Sequence, residues 1–481
     1  MRKTLTLLCF ICFGFLLEAQ IPARFQTVYG GASSEYGYAV KTVGTDGYIL
    51  AGTTNANGIT DGFIVRVDTA GVVKWAKIYG HDNVDVLQSI KMLPDSGFIA
   101  AGYTNSKGAG GYDGWLLRLN KLGDTLWTKT YGTSDWDFFY DVYVLHDSGF
   151  VICGGTYGLG NGDEDMYVIR TDSLGNVQWT KTWGGAQKDE ARRIIETGDS
   201  LLVMIGESKS TADVNGDSWL LRMDAGGDTL WTRTGISAAT EDIGYGLADA
   251  YPSPQIITCG FFRKPAGDKE AYIASFDYNG NYQYTFDFGG AADDEFQSVL
   301  IPPQGTFAAL GSSASFAMQG NMYFFHNRVS NPWFTTTYGT LEEDAGYSLD
   351  LAADGGYVAC GFTRGYNSIM PNMYLVKIDT AGYSTMVLAS TNDVQQSERK
   401  LLVYPVPASD FITFEYSGNA SIQQISIQDI SGKTIYQDNS FNAAVAHQLN
   451  ISAFSEGLYF YSIVLDNGKT ISGKFIKTQQ P

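Results

Sequence analysis

A phrase of the form aromatic-Thr-Lys-Thr-Tyr-Gly recurs through most of this 481-residue chain. Its leading aromatic residues follow one another at intervals of 50, 52, 52, 52, 53 and 50 residues. A nearly constant period of this length indicates one supersecondary unit repeated many times, in which each unit buries its apolar surface against its neighbours. The leading residues are Phe25, Trp75, Trp127, Trp179, Trp231, Tyr284 and Phe334.

Each repeat contains four short segments typical of β-strands. An acidic turn leads to a strand such as QSIKML, then to a Gly-led apolar strand such as GFIAAG, to a polar loop and a strand such as DGWLLRLN, and finally to the next aromatic strand. No segment shows helical periodicity, and four strands separated by turn residues predict one antiparallel sheet per repeat. Seven such sheets around an axis predict an all-β, seven-bladed β-propeller over residues 20–389.

The first and last repeats indicate how the ring closes. The aromatic strand at Phe25 has no repeat before it, whereas the last repeat lacks a clear aromatic strand after MYLVKID. We therefore expect residues 23–29 to supply the outer strand of the last blade. Met386 occupies a competing register, which leaves an open or eight-bladed arrangement as the alternative.

The first 19 residues have the pattern of a secretory signal peptide. Arg2 and Lys3 precede a largely apolar run of 13 residues that ends at Leu17, and Ala19 is a small residue suited to cleavage. The run is too short to span a bilayer, and no later run approaches 18 apolar residues, so we expect no transmembrane segment in the mature chain. The polar residues 390–400 predict a linker.

Charge and cysteine content exclude several classes of function. The formal net charge is −19, and it becomes −20 without the signal peptide because two cations and one anion leave with it. Nucleic acid and anionic membrane surfaces are therefore poor partners.

Three cysteines, Cys153, Cys259 and Cys360, remain after removal of the signal peptide. They share a register of the second strand that other repeats fill with apolar residues. We expect buried thiols and no disulfide framework.

The repeat pattern gives way to a different sequence pattern at residue 401. Alternating strands and Gly turns over residues 401–481 predict a small β-sandwich of immunoglobulin-like type. Four phrases in this segment, YPVPASD, ISGKTIYQ, GLYFYSIV and GKFIK, occur in the order and at the distances of a known family. They resemble the type A C-terminal sorting domain of type IX secretion cargo, with one departure at Val406, where that family usually has Asn.

The resemblance implies a route and a partner. It implies export across the inner membrane, recognition by the type IX secretion machinery of a Gram-negative bacterium, and removal of the sorting domain from a secreted or surface-attached product. The repeat region is similar to the secreted propeller repeats that accompany such sorting domains. That similarity implies a propeller fold and no settled activity.

Two rows of polar residues recur beside the aromatic phrase. The first is a carboxylate six or seven residues past the aromatic residue of each Tyr-Gly-type pair, and the second is a variable residue three positions further on. Both rows are predicted to lie at one mouth of the central channel. The carboxylates are Glu35, Asp85, Asp137, Asp189, Asp242, Asp294 and Asp344, and the variable residues are Tyr38, Gln88, Tyr140, Arg192, Tyr245, Gln297 and Tyr347.

Each row has a structural interpretation and a functional one. Seven copies of an acid suit a repeated turn lock, in which the carboxylate accepts backbone N–H bonds or pairs with a repeated cation. The alternatives are a cation or polyhydroxyl ligand at an acidic mouth, or glycosidase-type use of two acids. The variable row suits channel packing or ligand discrimination. The repeated cations are Arg66, Arg118, Arg170, Arg222 and Lys377.

No motif in the sequence predicts a cofactor or a catalytic centre. Asp213, Asn215 and Asp217 have the alternate oxygen spacing of a calcium loop but lack the glycine and distant glutamate of an EF-hand, which makes them a weak calcium candidate. The leading hypothesis is a non-catalytic binding or scaffold propeller with a glycan or protein ligand. The alternatives are a carbohydrate-active hydrolase or lyase that uses acids and aromatics at the channel mouth, and a surface adhesion or matrix component.

Overall fold

The computed structural model divides the chain into two compact units, residues 1–394 and 395–481. The predicted signal peptide and all but two residues of the predicted linker lie outside the described residues, and so does Met386. All regular secondary structure in the described residues is β-strand. The structure describes residues 24–80, 82–210, 216–236, 241–303, 305–316, 321–328, 331–366, 370–385, 392–393, 401–404, 410–416, 422–430, 432–438, 446–465 and 470–477.

Four consecutive antiparallel strands make each of the first six sheets of the first unit. The first sheet contains β2 (Glu35–Thr42), β3 (Tyr48–Thr54), β4 (Asp61–Val67) and β5 (Val73–Tyr79). The second contains β6 (Asp85–Met92), β7 (Phe98–Thr104), β8 (Asp113–Leu119) and β9 (Thr125–Tyr131). The third contains β10 (Asp137–Val144), β11 (Phe150–Thr156), β12 (Asp165–Thr171) and β13 (Val177–Trp183).

The next three sheets follow the same order. The fourth contains β14 (Asp189–Glu196), β15 (Leu202–Ser208), β16 (Asp217–Met223) and β17 (Thr229–Thr234). The fifth contains β18 (Asp242–Asp249), β19 (Gln255–Arg263), β20 (Lys269–Asp277) and β21 (Tyr282–Phe288). The sixth contains β22 (Asp294–Leu300), β23 (Gly305–Ser313), β24 (Asn321–Arg328) and β25 (Asn331–Tyr338).

The seventh sheet joins the two ends of the repeat region. It contains β26 (Asp344–Leu351), β27 (Tyr357–Thr363) and β28 (Asn372–Ile378), and its fourth strand is β1 (Phe25–Gly30). Strand β1 pairs antiparallel with β28, as the sequence predicted, with Phe25 opposite Lys377 and Tyr29 opposite Met373. The two-residue strand β29 (Asn392–Asp393) adds to β1 in parallel.

The first strands of the seven sheets, here called the inner strands, contact one another in a closed cycle. Each of β2, β6, β10, β14, β18 and β22 contacts the inner strand of the next sheet, and β26 contacts β2. The described part of the first unit is therefore an all-β, propeller-like arrangement of four-stranded antiparallel sheets. The cycle has two ends, and we call the end at which the inner strands begin the mouth.

The middle strands of a sheet are buried on both faces because the sheet lies between two others. Every residue of β3 and of β4 is buried, whereas the outer strand β9 has no buried residue. Cys153, Cys259 and Cys360 are free and fully buried, as predicted. Burial raises the pKa of all three thiols, so they are apolar core atoms rather than nucleophiles.

The leading aromatic residue of a repeat packs against a glycine in the next sheet. Each of these glycines has a positive φ of 73° to 91° and lies in the turn after the third strand of its own sheet. A Cβ atom added to any of them would lie 2.6–3.2 Å from the aromatic ring. Six such pairs occur in the described residues: Phe25 and Gly71, Trp75 and Gly123, Trp127 and Gly175, Trp179 and Gly227, Trp231 and Gly280, and Phe334 and Gly382.

A tyrosine hydroxyl reinforces four of these junctions. Four residues after the leading aromatic residue, the tyrosine donates a hydrogen bond of 2.5–2.8 Å to the carbonyl oxygen of the same turn glycine. Both the leading aromatic residue and the tyrosine of the aromatic-Thr-Lys-Thr-Tyr-Gly phrase therefore contact the same turn of the neighbouring sheet. The pairs are Tyr29 and Gly71, Tyr79 and Gly123, Tyr131 and Gly175, and Tyr338 and Gly382.

The repeated cations do not pair with the repeated acids of the inner strands, and that part of the prediction is wrong. Each cation instead pairs with an aspartate in the turn between the first and second strands of its own sheet. The cation lies near the end of the third strand, which is the end of the sheet opposite the mouth. The turn between the first and second strands lies at that same end, whereas the repeated acid lies at the mouth. The pairs are Arg66 and Asp46, Arg118 and Asp95, Arg170 and Asp147, Arg222 and Asp199, and Lys377 and Asp354.

The second unit consists of two antiparallel sheets that share one core. The smaller sheet contains β30 (Leu401–Tyr404), β31 (Phe411–Tyr416) and β34 (Ala446–Asn450) in the order β30-β31-β34. The larger sheet has the order β33-β32-β35-β36, with β32 (Ile422–Asp429), β33 (Thr434–Asp438), β35 (Gly457–Leu465) and β36 (Thr470–Lys477). Ile412 and Phe414 of the smaller sheet pack with Ile425, Ile463 and Phe475 of the larger one.

The contact between the aromatic residue and the turn glycine predicts a large cost for a single methyl group. In Gly123→Ala the new Cβ would lie 2.8 Å from the Trp75 ring, at a φ of +77°. We expect the free energy of unfolding to fall by about 2–3 kcal/mol. Urea unfolding monitored by tryptophan fluorescence reports on the first unit alone, because all nine tryptophans lie before residue 395.

Gly58→Ala is the matched control for this prediction. Gly58 has a φ of +84°, and no atom lies within 4 Å of its added Cβ. This variant therefore has the backbone strain without the contact, and should lose only about 1 kcal/mol. Equal losses in the two variants would show that the aromatic contact contributes nothing.

Candidate functional site

Every inner strand begins with one of the predicted carboxylates. All seven are buried, with exposed fractions of 0–2%. In five of the turns, the backbone N–H four residues before the carboxylate donates a hydrogen bond to it. These five donor and acceptor pairs are Gly31 and Glu35, Thr133 and Asp137, Gly185 and Asp189, Gly290 and Asp294, and Thr340 and Asp344.

The other two carboxylates also hold nearby chain segments. Asp242 accepts hydrogen bonds from the backbone N–H groups of Ser218 and Ile236, at 2.8 and 3.0 Å. Asp85 accepts one from the Ser106 hydroxyl at 2.7 Å. The carboxylates thus fasten the chain as it crosses from one sheet to the next. Burial raises the pKa of Asp137 and Asp344, and hydrogen bonds in the turns oppose that rise.

The variable row occupies a β-bulge in each inner strand. Opposite the second strand, the pairing skips one residue of the inner strand, and the skipped residue is in every case the variable one. A bulge re-aims the side chain that it frees from the ladder. The skipped residues are Tyr38, Gln88, Tyr140, Arg192, Tyr245, Gln297 and Tyr347, and all seven are half-buried.

Several bulge residues contact each other between sheets. The Tyr38 and Tyr347 rings lie 5.5 Å apart between the first and seventh sheets. The Arg192 guanidinium lies 4.8 Å from the Tyr140 ring and 5.9 Å from the Tyr245 ring. The structure therefore brings five of the seven variable residues into contact between neighbouring sheets, in one group of two and one group of three. Burial is the main cause that raises the pKa of Tyr38 to about 12, so its hydroxyl stays protonated at neutral pH.

A group of aromatic residues at the mouth was not predicted from the sequence. We call Tyr103, Tyr112, Trp136, Phe138 and Tyr157 the aromatic platform. Trp136 is its exposed member, with half of its surface open to solvent, and its ring centroid lies 5.8–6.4 Å from those of three others.

The loops of the second and third sheets fix the position of Trp136. The Tyr157 backbone N–H donates a 2.8 Å hydrogen bond to the Trp136 carbonyl, which joins two mouth loops of the third sheet. Trp136 also lies against Gly111 of the second sheet, where a Cβ would come within 2.2 Å of the indole Cδ1. The signal in the sequence was a tryptophan directly before the inner-strand acid, where other repeats have Ser34, Val84 or charged residues.

A charged cluster adjoins the aromatic platform on the side of the fourth sheet. Glu164, Glu190 and Glu207 are buried to 96% or more, whereas Lys188 and Arg192 are about one third exposed. Lys188 Nζ lies 3.0 Å from a Glu190 carboxylate oxygen, 3.9 Å from Glu164 and 4.0 Å from Glu207. Arg192 pairs with Glu190. The mouth therefore presents cations whose charges are balanced by carboxylates beneath them.

Glu164 connects the two groups. Its Oε2 accepts a hydrogen bond of 3.3 Å from the Tyr157 hydroxyl, while its Oε1 has no hydrogen-bond partner among the described residues. Gly155 gives the carboxyl room, since a Cβ there would lie 2.0 Å from Oε1. Burial and then the neighbouring Glu190 raise the pKa of Glu164 to about 7, against the opposing effect of Lys188.

The calcium candidate is only partly described. Asp213 and Asn215 lie outside the described residues, and Asp217 is the buried first residue of β16. In the described part of the chain, no group of three or more His, Cys, Asp or Glu residues could hold a metal ion. Nor does this part of the chain contain a helix long and apolar enough to cross a membrane.

The raised pKa of Glu164 predicts a pH-dependent stability. The folded protein holds the proton up to about pH 7, whereas the ordinary glutamate pKa is 4.5. This contribution to stability is therefore complete below pH 4.5 and is lost as the pH rises through 7. Relative to Glu164→Gln, wild type should lose about 3 kcal/mol of unfolding free energy between pH 4.5 and pH 8, measured by urea unfolding.

The control for the pH series is Glu342→Gln, which neutralises an exposed carboxylate at the same end of the sheets. Because the Glu342 side chain is exposed, we expect this substitution to change the unfolding free energy by less than about 1 kcal/mol. If wild type and Glu164→Gln give parallel curves, Glu164 titrates alike in the folded and unfolded chains and the raised pKa is refuted.

Comparison with known proteins gives distant similarities. A 192-residue stretch is 25% identical to the regulatory protein FlaEY of Caulobacter vibrioides and covers 33% of this chain but only 20% of that protein. Among solved structures, the extracellular domain of a putative hybrid two-component system of B. thetaiotaomicron is 9% identical with a TM-score of 0.42. That alignment covers 95% of this chain and 58% of the other.

A second solved structure, Sqt1 from Chaetomium thermophilum, is 11% identical with a TM-score of 0.40. That alignment covers 71% of this chain and 82% of the other.

The C-terminal segment is matched by a family model. Residues 402–478 match the secretion system C-terminal sorting domain, which agrees with the four phrases in the sequence. The protein is therefore an exported protein of a Gram-negative bacterium, secreted or at the cell surface, and its residues 402–478 are a secretion system C-terminal sorting domain.

Proposed function

We propose that the first unit is a closed seven-bladed β-propeller that serves as a non-catalytic binding or scaffold module outside the cell. The observation that carries the proposal is the aromatic platform at the mouth, with Trp136 half exposed and held by contacts to neighbouring rings. Several aromatic rings grouped at the mouth, with one of them half exposed, form a contiguous surface of the kind that binds ligands.

The proposed domain organisation follows the chain. Residues 1–19 are a signal peptide, residues 20–389 form the propeller, residues 390–400 are a linker, and residues 401–481 form an immunoglobulin-like sorting domain. The type IX secretion machinery recognises that last domain and the domain is removed after transport. The unit boundary at residue 394 falls within the proposed linker.

The carboxylates at the mouth support a non-catalytic function. The seven inner-strand acids are buried and accept hydrogen bonds, so their oxygens serve the turns that join the sheets. A general acid or a nucleophile must reach the bond that it cleaves. We therefore assign the acid row to the scaffold, and the exposed aromatic and cationic residues to the ligand.

One observation favours a carbohydrate-active enzyme as a second candidate. Glu164 has a pKa of about 7, which suits a general acid, and Glu190 lies within reach of the same lysine. A carboxyl group with a raised pKa beside a second acidic side chain is a common arrangement in glycosidases. Both side chains are nearly fully buried, so this function needs an opening movement of Tyr157 and Lys188.

Turnover separates the two candidates. Full-length protein is incubated with soluble neutral polysaccharides (xylan, mannan and β-glucan), and the reducing ends released are counted. The binding module predicts no release above the buffer control from wild type, Glu164→Gln or Glu190→Gln. Release by wild type that falls at least 100-fold in Glu164→Gln would replace the binding function with the enzymatic one.

Delivery has its own test. A strain that expresses the chain without residues 401–481 should keep it inside the outer membrane, while full-length protein reaches the surface or the medium, as judged by protease accessibility on intact cells. Continued surface delivery of the shortened chain would refute the route.

A further inference from the structure

The ligand class follows from what the mouth offers to a bound molecule. Trp136 presents an indole half open to solvent, beside Tyr112 and Tyr157 at interplanar angles of 83° and 72°. Rings held this way lose little conformational entropy on binding. The negative face of an aromatic ring attracts positively polarised C–H groups, which line the flat faces of pyranose sugars.

Hydrogen-bonding groups lie beside this surface. Arg192 and Lys188 are each about one third exposed and carry several N–H donors. The Tyr157 hydroxyl is held by the buried Glu164 carboxyl, whose second oxygen has no hydrogen-bond partner among the described residues. Glu164 is a positioning residue here, since it acts on a ligand through Tyr157. An apolar aromatic surface next to several hydrogen-bonding side chains is complementary to a molecule that has an apolar face and hydroxyl groups along its edges.

Charge separates the remaining ligand classes. A polyanion, including a single-stranded nucleic acid that could stack on Trp136, is opposed by the chain's net charge of −19. Lys188 and Arg192 do not offset this charge because Glu190 already pairs with both. A neutral polyhydroxyl compound avoids this repulsion, and its hydroxyl oxygens can accept hydrogen bonds from the exposed N–H groups of Lys188 and Arg192.

We propose that the aromatic platform and the adjoining Lys188 and Arg192 bind a neutral polysaccharide, with one sugar ring stacked on Trp136. This inference rests on the proposed binding function and adds the ligand class to it. Stacking on one half-exposed indole makes Trp136 the dominant residue of the site.

The test uses the full-length protein on a glycan array that contains neutral and uronic-acid glycans, followed by calorimetry with the best neutral hexasaccharide. We expect neutral glycans to be retained and uronic-acid glycans of the same linkage to be bound at least 10-fold more weakly. Trp136→Ala should weaken binding at least 10-fold, and Trp136→Phe should retain part of the affinity because it keeps an aromatic face.

Trp333→Ala is the matched control. Trp333 has the same 50% exposure as Trp136 but lies on the outer strand β25 of the sixth sheet. This variant should bind like wild type, and the urea unfolding midpoints of both alanine variants show whether either has lost its fold. An equal loss of affinity in both variants, or unchanged affinity in folded Trp136→Ala, would overturn the assignment to the platform.

The remaining outcomes distinguish a failure of the neutral-polysaccharide class from a failure of the proposed non-catalytic function. An array on which no neutral glycan is retained, or on which uronic-acid glycans bind more tightly, overturns the neutral-polysaccharide class and leaves the non-catalytic function standing. Neutral glycan binding accompanied by Glu164-dependent release of reducing ends supports the ligand class and overturns the non-catalytic function.

Discussion

The packing of an aromatic ring on a left-handed turn glycine is the contact on which the arrangement of sheets depends. It joins the outer strand of one sheet to a turn of the next, and a side chain cannot be added to the glycine without displacing the ring. Because Phe25 belongs to the seventh sheet and Gly71 to the first, the same contact also links the end of the cycle to its beginning. The nearly constant period of the sequence agrees with this geometry, since both partners recur at the same places in six of the seven repeats.

The inner strands separate the scaffold from the variable surface. Each one starts with a buried carboxylate that fastens the crossing chain, and three residues later a bulge releases one side chain from the ladder. The released position can change from Tyr140 to Arg192 to Tyr245 between neighbouring sheets because no strand pairing depends on it. The carboxylate cannot change in the same way, since the turn N–H groups would lose their acceptor. Chemical variety at the mouth is thus compatible with strict repetition behind it.

The architecture was largely predictable from the sequence, because strand, turn and period each follow from local chemistry repeated seven times. The pairing of β1 with β28 was predictable for the same reason, since a lone aromatic strand needs a partner. The partner of the repeated cation was not, because two acids per repeat compete for it and only the fold shows that Asp95 is nearer to Arg118 than Asp85 is. Trp136, Tyr112 and Tyr157 were missed because they lie in loops of two different sheets and break the repeat rather than follow it.

The position of the aromatic platform shows why such a site can arise without cost to the fold. Trp136 and Tyr157 lie in loops that meet through one backbone hydrogen bond, and the equivalent loops of the fourth sheet meet in the same way through Lys188 and Lys209. The backbone contact is thus kept where the side chains differ completely, aromatic in one sheet and cationic in the next. A repeat protein can therefore assemble an asymmetric surface from symmetric parts by changing loop side chains alone. In this chain the aromatic and charged groups adjoin where the third and fourth sheets meet, and Glu164 links them through Tyr157 and Lys188.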